Sequence, residues 1–243
     1  MKRIIIIGAT SGIGENIASI FLEKGYRLGL AGRRMERLEA IKAKSPDNIE
    51  IERIDVCSPD MEDALNRLIS KVGGMDIFLL CSGVGKQNRR LDTEIEVWTT
   101  ETNGVGFVRA TTVAFNYFKN VNQEKKQIAV ISSIAGTKGL GAAPAYSATK
   151  AMQNTYIDAL AQLSHMENSG ITFTDIRPGF IDTELLQTGK YPMTMKRDYA
   201  SQKIVKAIEN GKRRAVIDWK YGILVFFWRL IPNCIWERLN IHN

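Results

Sequence analysis

Residues capable of acid–base chemistry occur close together between Ser132 and Lys150. Tyr146 and Lys150 are four residues apart, so in a helix beginning near Ala145 their side chains share one face. A phenol titrates near about pH 10, and a neighbouring ammonium favours the phenolate, so Lys150 is expected to lower the pKa of Tyr146. Ser133, at the end of the preceding strand, could hold a carbonyl oxygen. The alternative is a solvated helix face, where this spacing is common.

A glycine-rich segment lies between the first predicted strand and the first predicted helix. A β-branched run, 4–7, ends at Gly8, and an apolar helical period resumes at Ile13. Between them the chain reads Gly8-Ala9-Thr10-Ser11-Gly12-Ile13-Gly14. Glycines let the backbone approach a pyrophosphate, and the free amides of a helix N-terminus favour negative charge. The segment therefore predicts a nucleotide phosphate site, with a purely structural turn as the alternative.

Basic residues follow the glycines at the distance where NAD-binding folds place a carboxylate for the ribose hydroxyls. The chain has Gly32-Arg33-Arg34 there. Two guanidiniums suit a ribose 2′-phosphate, so NADP(H) should be preferred over NAD(H). The alternative is a solvated basic pair at the start of the next helix. Asp55, just after the third predicted strand, could accept from an adenine amino group or cap a loop.

Predicted strands and helices alternate along the chain. The strands are expected at 4–7, 27–31, 49–54, 75–80, 128–131, 171–176 and 212–217, and the later helices at 35–43, 61–72, 103–118, 145–166 and 201–210. Right-handed βαβ units give a parallel sheet covered by helices on both faces. The fold class is therefore α/β, a doubly wound parallel sheet in three layers. One domain is expected over residues 1–218, with a tail over 219–243.

Composition narrows the function classes. The chain has 243 residues, a net charge of +7 and a pI near 9.3, which favours an anionic partner such as a nucleotide, nucleic acid or an anionic membrane. The basic residues are spread along the chain, which argues against nucleic acid. Three scattered cysteines match no metal-ligand spacing and favour a reducing compartment. The apolar run after Lys2 and Arg3 is too short for a signal peptide, so a cytoplasmic location is expected.

Taken together, the motifs resemble the short-chain dehydrogenase/reductase family, over about residues 1–185. The glycine segment is similar to that family's phosphate-binding turn. The other matches are Asp55-Val56 to its adenine contact, Asn103 with Gly106 to its helix asparagine motif, Ile131-Ser132-Ser133 to its catalytic serine strand, and Pro178-Gly179 with Thr183 to the segment beside the nicotinamide. The resemblance implies a Rossmann-like fold, and a homodimer or homotetramer.

The resemblance also implies roles for individual residues. Tyr146 would be the general acid that protonates the carbonyl oxygen during reduction, and the base in reverse. Lys150 would lower its pKa and bind the nicotinamide ribose, and Ser133 would orient the carbonyl. Asn103 would hold a water that links Lys150 to solvent as a proton relay. The implied cofactor contacts are Gly8, Thr10, Ser11, Gly12, Ile13, Gly14, Arg33, Arg34, Asp55, Val56, Ser82, Gly83, Tyr146, Lys150, Pro178, Gly179, Ile181 and Thr183, with no metal.

Two segments depart from the family's pattern. Where the family has Asn-Asn-Ala-Gly, this chain has Leu80-Cys81-Ser82-Gly83; a buried structural thiol is the preferred interpretation of Cys81, because neither His165 nor His242 is near it in sequence. The tail is rich in aromatic and basic residues. Its uninterrupted apolar run is too short to span a bilayer. The tail could instead cover the pocket, join subunits or lie on a membrane surface.

The leading hypothesis is an NADP(H)-dependent reductase of a hydrophobic carbonyl, or the reverse alcohol dehydrogenase. The alternatives are a dinucleotide sensor or scaffold without turnover, and a reductase of a long-chain lipid ketone at a membrane surface. An epimerase or dehydratase is disfavoured because the chain leaves little room for an added substrate domain. Specificity is expected to lie in the tail and in the loop after Thr183.

Overall fold

A seven-stranded parallel sheet forms the centre of the molecule. The computed structural model describes residues 1–184, 186 and 191–241. Within them the strands are β1 (Arg3–Ile7), β2 (Arg27–Gly32), β3 (Ile49–Arg53), β4 (Ile77–Leu80), β5 (Gln127–Ile131), β6 (Thr172–Pro178) and β7 (Arg214–Ile217). Their order is β3-β2-β1-β4-β5-β6-β7, and each neighbouring pair is parallel. This confirms the predicted Rossmann-like α/β fold.

Helices connect the strands and cover both faces of the sheet. They are α1 (Gly12–Glu23), α2 (Met35–Lys42), α3 (Met61–Val72), α4 (Thr93–Thr100), α5 (Phe107–Asn120), α6 (Pro144–Met166), α7 (Arg197–Glu209), α8 (Trp219–Leu230) and the short α9 (Asn233–Trp236). A π-helical turn, Glu101–Gly106, joins α4 to α5, and a 3₁₀ turn, Ile134–Thr137, follows β5.

The isoleucines of β1 show how the three layers are held together. Successive strand residues point to opposite faces. Ile4 and Ile6 therefore pack in the core shared with α1, α7 and α8, whereas Ile5 and Ile7 pack in the core shared with α3, α5 and α6. All four are fully buried. A β-branched run of this kind suits a central parallel strand, which is covered on both sides.

The strand order reverses at β1. This strand pairs with β2 on one side and with β4 on the other. The helix that follows β1, α1, and the helix α5 that follows β4 therefore cover opposite faces of the sheet. The crevice at the carboxyl ends of such strands is where doubly wound sheets bind ligands. Here it lies between the loop at Gly8 and the loop at Cys81, which touch: a Cβ on Gly8 would lie 2.7 Å from the Ser82 nitrogen.

Several element bounds differ from the sequence prediction. The predicted helix 103–118 is preceded by α4, which was not predicted, and its first turn is π-helical. Only Thr99 is buried on α4, so this helix carries almost no apolar period. β6 extends through Pro178, and α7 begins at Arg197 rather than near Ser201. No helix among the described residues combines the length and apolarity needed to cross a bilayer.

Candidate active site

The glycine segment forms one wall of a cleft of about 340 Å³ at the carboxyl ends of β1 and β4. Gly8 and Gly12 have φ of +94° and +59°, a region that favours glycine. A Cβ on Gly14 would lie 2.1 Å from the Gly8 carbonyl oxygen, so only glycine allows α1 to start this close to the turn. The predicted residues that line this cleft are Gly8, Thr10, Ser11, Gly12, Ile13, Gly14, Arg33, Arg34, Asp55, Val56, Ser82, Gly83 and Thr183.

Three arginines surround the cleft beside Thr10. Arg34 Nη2 donates to Ser11 Oγ at 2.6 Å and to Thr10 Oγ1 at 3.1 Å, so its guanidinium lies over the glycine turn. Arg33 is exposed at the cleft edge. Arg37, which the sequence analysis missed, donates to the Thr10 carbonyl at 3.3 Å. Its position three residues after Arg34 on the same helical face was the available signal.

An acidic residue from the opposite side of the cleft reaches these arginines. Glu184 lies 3.7 Å from Arg34 Nη1 and 3.5 Å from Arg37 Nη1. Its side chain is 67% exposed, so the pairs are screened and contribute little stability. The residues present therefore suit a phosphorylated nucleotide: glycines that permit close approach, a helix N-terminus, and guanidiniums whose acidic partner, Glu184, is exposed.

The remaining wall of the cleft comes from β3 and β4. Asp55 Oδ1 accepts from the Cys57 nitrogen at 3.0 Å, so one oxygen of this carboxylate caps its loop, which was the predicted alternative to an adenine contact. Val56 is buried, and a Cβ on Gly106 would lie 2.6 Å from it. This contact explains the glycine that the sequence analysis grouped with Asn103.

A second cavity, of about 200 Å³, joins the nucleotide cleft. Both are lined by Ile13, Cys81, Gly83, Ile131 and Thr183. The second cavity holds the predicted catalytic residues Ser133, Tyr146 and Lys150, together with Pro178, Gly179 and Ile181. The structure thus brings together side chains from α6, the end of β5 and the segment after β6. Asn103 is different, because it is fully buried beneath the site.

Ser133 lies two residues beyond the end of β5, where it caps the 3₁₀ turn. Its Oγ accepts from the Ala135 nitrogen at 3.1 Å and lies 3.5 Å from the Pro178 carbonyl oxygen. Ser132 instead points into the core, where its hydroxyl donates to Asp175 Oδ1 at 2.5 Å. Asp175 also pairs with Arg177 at 2.5 Å, and both are buried. This network fixes the backbone from which Ser133 projects.

Tyr146 is half-buried, with its ring against the loop after β4. A Cβ on Gly85 would lie 2.9 Å from the Tyr146 ring, so glycine there leaves room for the phenol. Burial raises the pKa of Tyr146, and a side-chain hydrogen bond with Ser133 opposes that shift. The sequence analysis expected the pKa to fall because of Lys150. In this structure burial has the larger effect, so the direction is reversed.

Lys150 is buried, and its ammonium lies close to Tyr146. Nζ is 5.7 Å from the centroid of the tyrosine ring. Burial lowers the pKa of Lys150 to about 8, while Asp175 and then Cys81 act to raise it. Nζ donates to the Ile131 carbonyl at 3.0 Å and to Gln153 Oε1 at 3.1 Å. The lysine is therefore held in a fixed position on the same helical face as Tyr146.

Asn103 occupies the π-helical turn and binds the loop after β4. Its Nδ2 donates to the Val84 carbonyl at 2.7 Å, and its Oδ1 accepts from the Val84 nitrogen at 2.9 Å. It is not a helix N-cap, because the preceding residues are already helical. Its backbone carbonyl accepts from Gln153 Nε2 at 2.8 Å. The Gln153 side chain therefore links the Asn103 carbonyl to Lys150 Nζ, and the relay water expected at Asn103 stays a prediction.

Comparisons with known proteins agree with this geometry. A family sequence model described as short chain dehydrogenase matches residues 2–192. The chain belongs to the short-chain dehydrogenase family. An uncharacterised oxidoreductase of Myxococcus xanthus (strain DK1622) is 28% identical over 244 residues, which cover 97% of this chain and 95% of that protein. An uncharacterised oxidoreductase of Mycobacterium tuberculosis (strain CDC 1551 / Oshkosh) is 30% identical over 246 residues, with 96% and 95% covered.

A solved structure shows the same fold over the whole length. The short chain dehydrogenase from Burkholderia cenocepacia J2315, crystallised in complex with NADP, superposes with a TM-score of 0.84 at 18% identity and covers 100% of both chains. The family and the fold together identify this protein as a short-chain dehydrogenase-type oxidoreductase.

Cys81 is one departure of this short-chain dehydrogenase from the family's pattern. Cys81 lines both cavities and also packs against the core that contains Ile4 and Ile6. The pKa of Cys81 is raised to about 12 by burial, although Lys150 acts to lower it. The thiol is therefore protonated at neutral pH and a poor nucleophile. The sequence analysis preferred a buried structural thiol; Cys81 packs on the core as that role requires, but it is only half-buried.

The tail is the second departure, and its inner face contacts the active site. Tyr221 is fully buried, and its hydroxyl accepts from the Phe180 nitrogen at 3.1 Å. A Cβ on Gly179 would lie 2.2 Å from the Tyr221 ring, so the tail helix packs directly on this predicted cofactor segment. Trp228, two turns further along α8, lines the cavity that contains Tyr146.

Loop 138–142 attaches the end of the tail to the site. Trp236 Nε1 donates to the Gly139 carbonyl at 2.7 Å, and its ring lies 5.3 Å from that of Trp228. Lys138 Nζ donates to the Ile231 carbonyl at 3.0 Å and to Asn233 Oδ1 at 2.8 Å. Much of the predicted specificity loop after Thr183, at residues 185 and 187–190, lies outside the described residues, as do His242 and the last residue of the tail.

Proposed function

We propose that this protein interconverts a hydrophobic ketone or aldehyde and the corresponding alcohol, with NADP(H) as the hydride carrier. The observation that carries the proposal is the junction of the two cavities. A phosphate-binding cleft and an apolar cavity share one wall, and Ser133, Tyr146 and Lys150 lie together on the apolar side. A nucleotide in the first cavity and a carbonyl in the second would meet at that wall.

The protein's own groups supply the proton and the orientation. Bound NADPH would supply a hydride to the carbonyl carbon. Tyr146 donates its hydroxyl proton to the carbonyl oxygen, and the Ser133 hydroxyl orients that oxygen. Burial raises the pKa of Tyr146, which keeps the phenol protonated at neutral pH and ready to act as an acid. The ammonium of Lys150 then stabilises the phenolate that remains. In alcohol oxidation the same groups work in reverse.

The preference for NADP(H) rests on three basic side chains beside Thr10. Arg34 and Arg37 contact the glycine turn, and Arg33 lies at the cleft edge. A ribose 2′-phosphate would compete with the exposed Glu184 carboxylate for Arg34 and Arg37. The Burkholderia structure, crystallised with NADP, supports the same choice. Asp55, Val56, Ser82, Gly83, Pro178, Gly179, Ile181 and Thr183 remain proposed cofactor contacts.

The apolar character of the second cavity indicates a hydrophobic substrate. Its lining includes the large apolar side chains of Phe180, Leu186, Tyr191 and Trp228. A long-chain or aromatic ketone would bury apolar surface there at about 25 cal/mol per Å². Such a cavity offers little to a strongly polar substrate, which would lose its contacts with water.

A spectrophotometric screen tests the proposed reaction. Purified protein is mixed with NADPH and a library of carbonyl compounds weighted to long-chain and aromatic ketones, and NADPH oxidation is followed by absorbance. We expect turnover of apolar ketones above that of small polar ones. Binding of NADPH without turnover of any compound would instead favour the dinucleotide sensor hypothesis.

The outer face of α8 supports a further proposal, that the protein acts at an anionic membrane surface on its cytoplasmic side. Trp219, Ile223, Phe226, Phe227 and Leu230 form an exposed apolar stripe, opposite the stripe that packs on the site. The helix also carries Lys220 and Arg229 and no acidic residue. An interfacial helix has this composition. Anionic lipid complements the basic residues, whereas a second copy would oppose like charges.

Vesicle co-sedimentation tests the membrane contact. We expect binding to phosphatidylglycerol vesicles, weak binding to phosphatidylcholine vesicles, and loss of binding in a Phe226→Ser/Phe227→Ser variant. The matched control, Leu163→Ser/Met166→Ser, removes exposed apolar side chains from α6 and should still bind. Equal sedimentation of both variants would contradict a role of α8 in binding.

Assembly into a homodimer or homotetramer remains part of the proposal. Val97 and Trp98 on α4 and Met152 on α6 are exposed apolar side chains on two helices that pack together, and a second copy could cover them. Light scattering after size-exclusion chromatography gives the mass in solution, and a monomer at micromolar concentration would contradict this expectation.

A further inference from the structure

A buried glutamine connects two residues of the candidate active site. Gln153 is 1% exposed and lies on α6, three residues after Lys150 and seven after Tyr146, which places all three side chains on one helical face. Its Oε1 accepts from Lys150 Nζ at 3.1 Å, and its Nε2 donates to the Asn103 carbonyl at 2.8 Å. One amide thus bridges the lysine ammonium and the π-helical turn.

This bridge uses groups that a proton relay through Asn103 would need. A lysine ammonium has three donors, of which one is bound to Gln153 and another to the Ile131 carbonyl. The carbonyl of Asn103 is bound to the same amide. A carboxamide binds through its oxygen and its NH₂ group without readily releasing a proton, so it transmits position but not protons.

We propose that Gln153 is a positioning residue, which fixes the Lys150 ammonium next to Tyr146 and replaces a relay water between Lys150 and Asn103. In this arrangement Lys150 exchanges protons on the side that faces the cavities. The inference deepens the proposed function, on which its effect on turnover rests.

The charged and titratable groups around Lys150 are few among the described residues. Asp175 on β6 and Cys81 after β4 act on it electrostatically, and Tyr146 lies on its own helix. Arg177 already pairs with Asp175 at 2.5 Å, and the Cys81 thiol is protonated at neutral pH. Among the described residues, Gln153 is the side chain that accepts a hydrogen bond from the ammonium, and this contact stabilises the charged form.

Two substitutions at Gln153 should shift the pH profile in opposite directions. Gln153→Glu places a carboxylate against Lys150 and raises its pKa, whereas Gln153→Leu removes the acceptor and lowers the pKa. Reduction needs the ammonium, so turnover falls as pH rises through the pKa of Lys150, which is about 8 in the unmodified protein. The alkaline limb should therefore move to higher pH in the first variant and to lower pH in the second.

Gln127 provides a matched control. It is also buried, at 2% exposure, and its Nε2 donates to Thr174 Oγ1 and to the Ile208 carbonyl, both at 2.9 Å. The variants Gln127→Glu and Gln127→Leu carry the same changes of charge and shape, but they lie away from Lys150. We expect them to lower stability without shifting the alkaline limb. A merely structural role of Gln153 would give this same result at both positions.

A second readout does not require turnover. Competitive acetylation of the free protein across pH, read by mass spectrometry of the Lys150 peptide, gives the pKa of Lys150 directly. Opposite pKa shifts in the two Gln153 variants support the inference even if no carbonyl substrate is found, an outcome that would count against the proposed function alone. Shifts of the same sign, or none, in soluble folded variants would overturn the inference.

Discussion

The nucleotide cleft and the apolar cavity share one wall, but they are built differently. The cleft depends on backbone contacts between loops at the ends of adjacent strands, such as the approach of Gly14 to Gly8 and of Gly8 to Ser82. The cavity depends on side chains that are distant in sequence, from Ile13 to Trp228. Close backbone contacts of this kind tolerate few substitutions, whereas a cavity lined by side chains can be changed residue by residue.

The largest effect should come from the shared wall. Tyr146→Phe removes the proposed acid while retaining the ring that packs on Gly85. We expect turnover of a carbonyl substrate to fall by roughly 100-fold or more, with the dissociation constant of NADPH nearly unchanged. Steady-state kinetics and a fluorescence titration measure the two quantities. Tyr156→Phe, on the same helix and outside the cavities, is the control; turnover retained in Tyr146→Phe would remove the proposed role.

Much of the cleft could be predicted from the sequence, because its signals are local. The apolar run of β1, the glycines and the basic pair occur in the order in which the folded chain uses them. Arg37 and Gln153 were missed although each lies three residues from a predicted site residue, on the same helical face. Spacing identifies such candidates, but only the fold shows that Arg37 reaches Thr10 and that Gln153 reaches Asn103.

The cavity could not be predicted in the same way. Helix α8 is apolar on both faces, so its sequence does not distinguish the stripe of Tyr221, Val225 and Trp228, which faces the protein, from the exposed stripe around Phe226. Burial also reversed the expected direction of the Tyr146 pKa, because desolvation depends on residues packed around the phenol rather than on the neighbour four positions away.

The next largest effect should be confined to the nucleotide side. Arg34→Ala removes a guanidinium that suits the ribose 2′-phosphate, and a charge-assisted hydrogen bond of about 1.5–3 kcal/mol corresponds to a loss of roughly tenfold to a hundredfold in affinity. We expect this loss for NADPH and little change for NADH, measured by fluorescence titration. Arg67→Ala, a surface arginine paired with Glu52, is the control.

The Arg34 variant can also separate two functions of this side chain. Since Arg34 hydrogen-bonds Thr10 and Ser11, it could order the glycine turn as well as bind phosphate. An equal loss of affinity for NADPH and NADH would show that its structural contacts dominate, and would weaken the case for NADP(H) specificity. If the unmutated protein bound NADH more tightly than NADPH, this result would contradict the proposed NADP(H) preference directly.

A smaller effect is expected on the cavity side alone. Trp228→Ala removes a wall of the apolar cavity, and loss of apolar contact of about 1–3 kcal/mol should lower kcat/KM for a long-chain ketone by roughly tenfold or more. The affinity for NADPH should stay the same. The control is Phe227→Ala, which changes the adjacent residue of the same helix, whose ring is exposed. Both variants are measured in buffer without detergent or lipid. If both variants behaved alike, the tail would not form part of the substrate cavity.

The smallest effect concerns the first turn of α6, the helix that carries Tyr146 and Lys150. Glu96 on α4 accepts through Oε2 from the Ala145 nitrogen at 2.8 Å and through Oε1 from Asn88 Nδ2 at 2.8 Å. Its carboxylate thus accepts a hydrogen bond from a free amide in the first turn of α6, one residue before Tyr146. Its negative charge also interacts favourably with the positive end of the helix dipole. Glu96→Gln should lower the free energy of unfolding by about 1 kcal/mol, which corresponds to a fall of roughly 2–4 °C in Tm.

Glu94→Gln tests whether the effect of Glu96 depends on the contact with α6. Glu94 has the same charge on the same helix and is exposed, so it should change Tm by less than Glu96→Gln in differential scanning fluorimetry. Both variants should retain NADPH affinity, because neither residue lines the nucleotide cleft. A loss of nucleotide affinity in Glu96→Gln would instead show that α6 transmits strain from the cavity to the cleft, and that the two regions are less independent than their construction indicates.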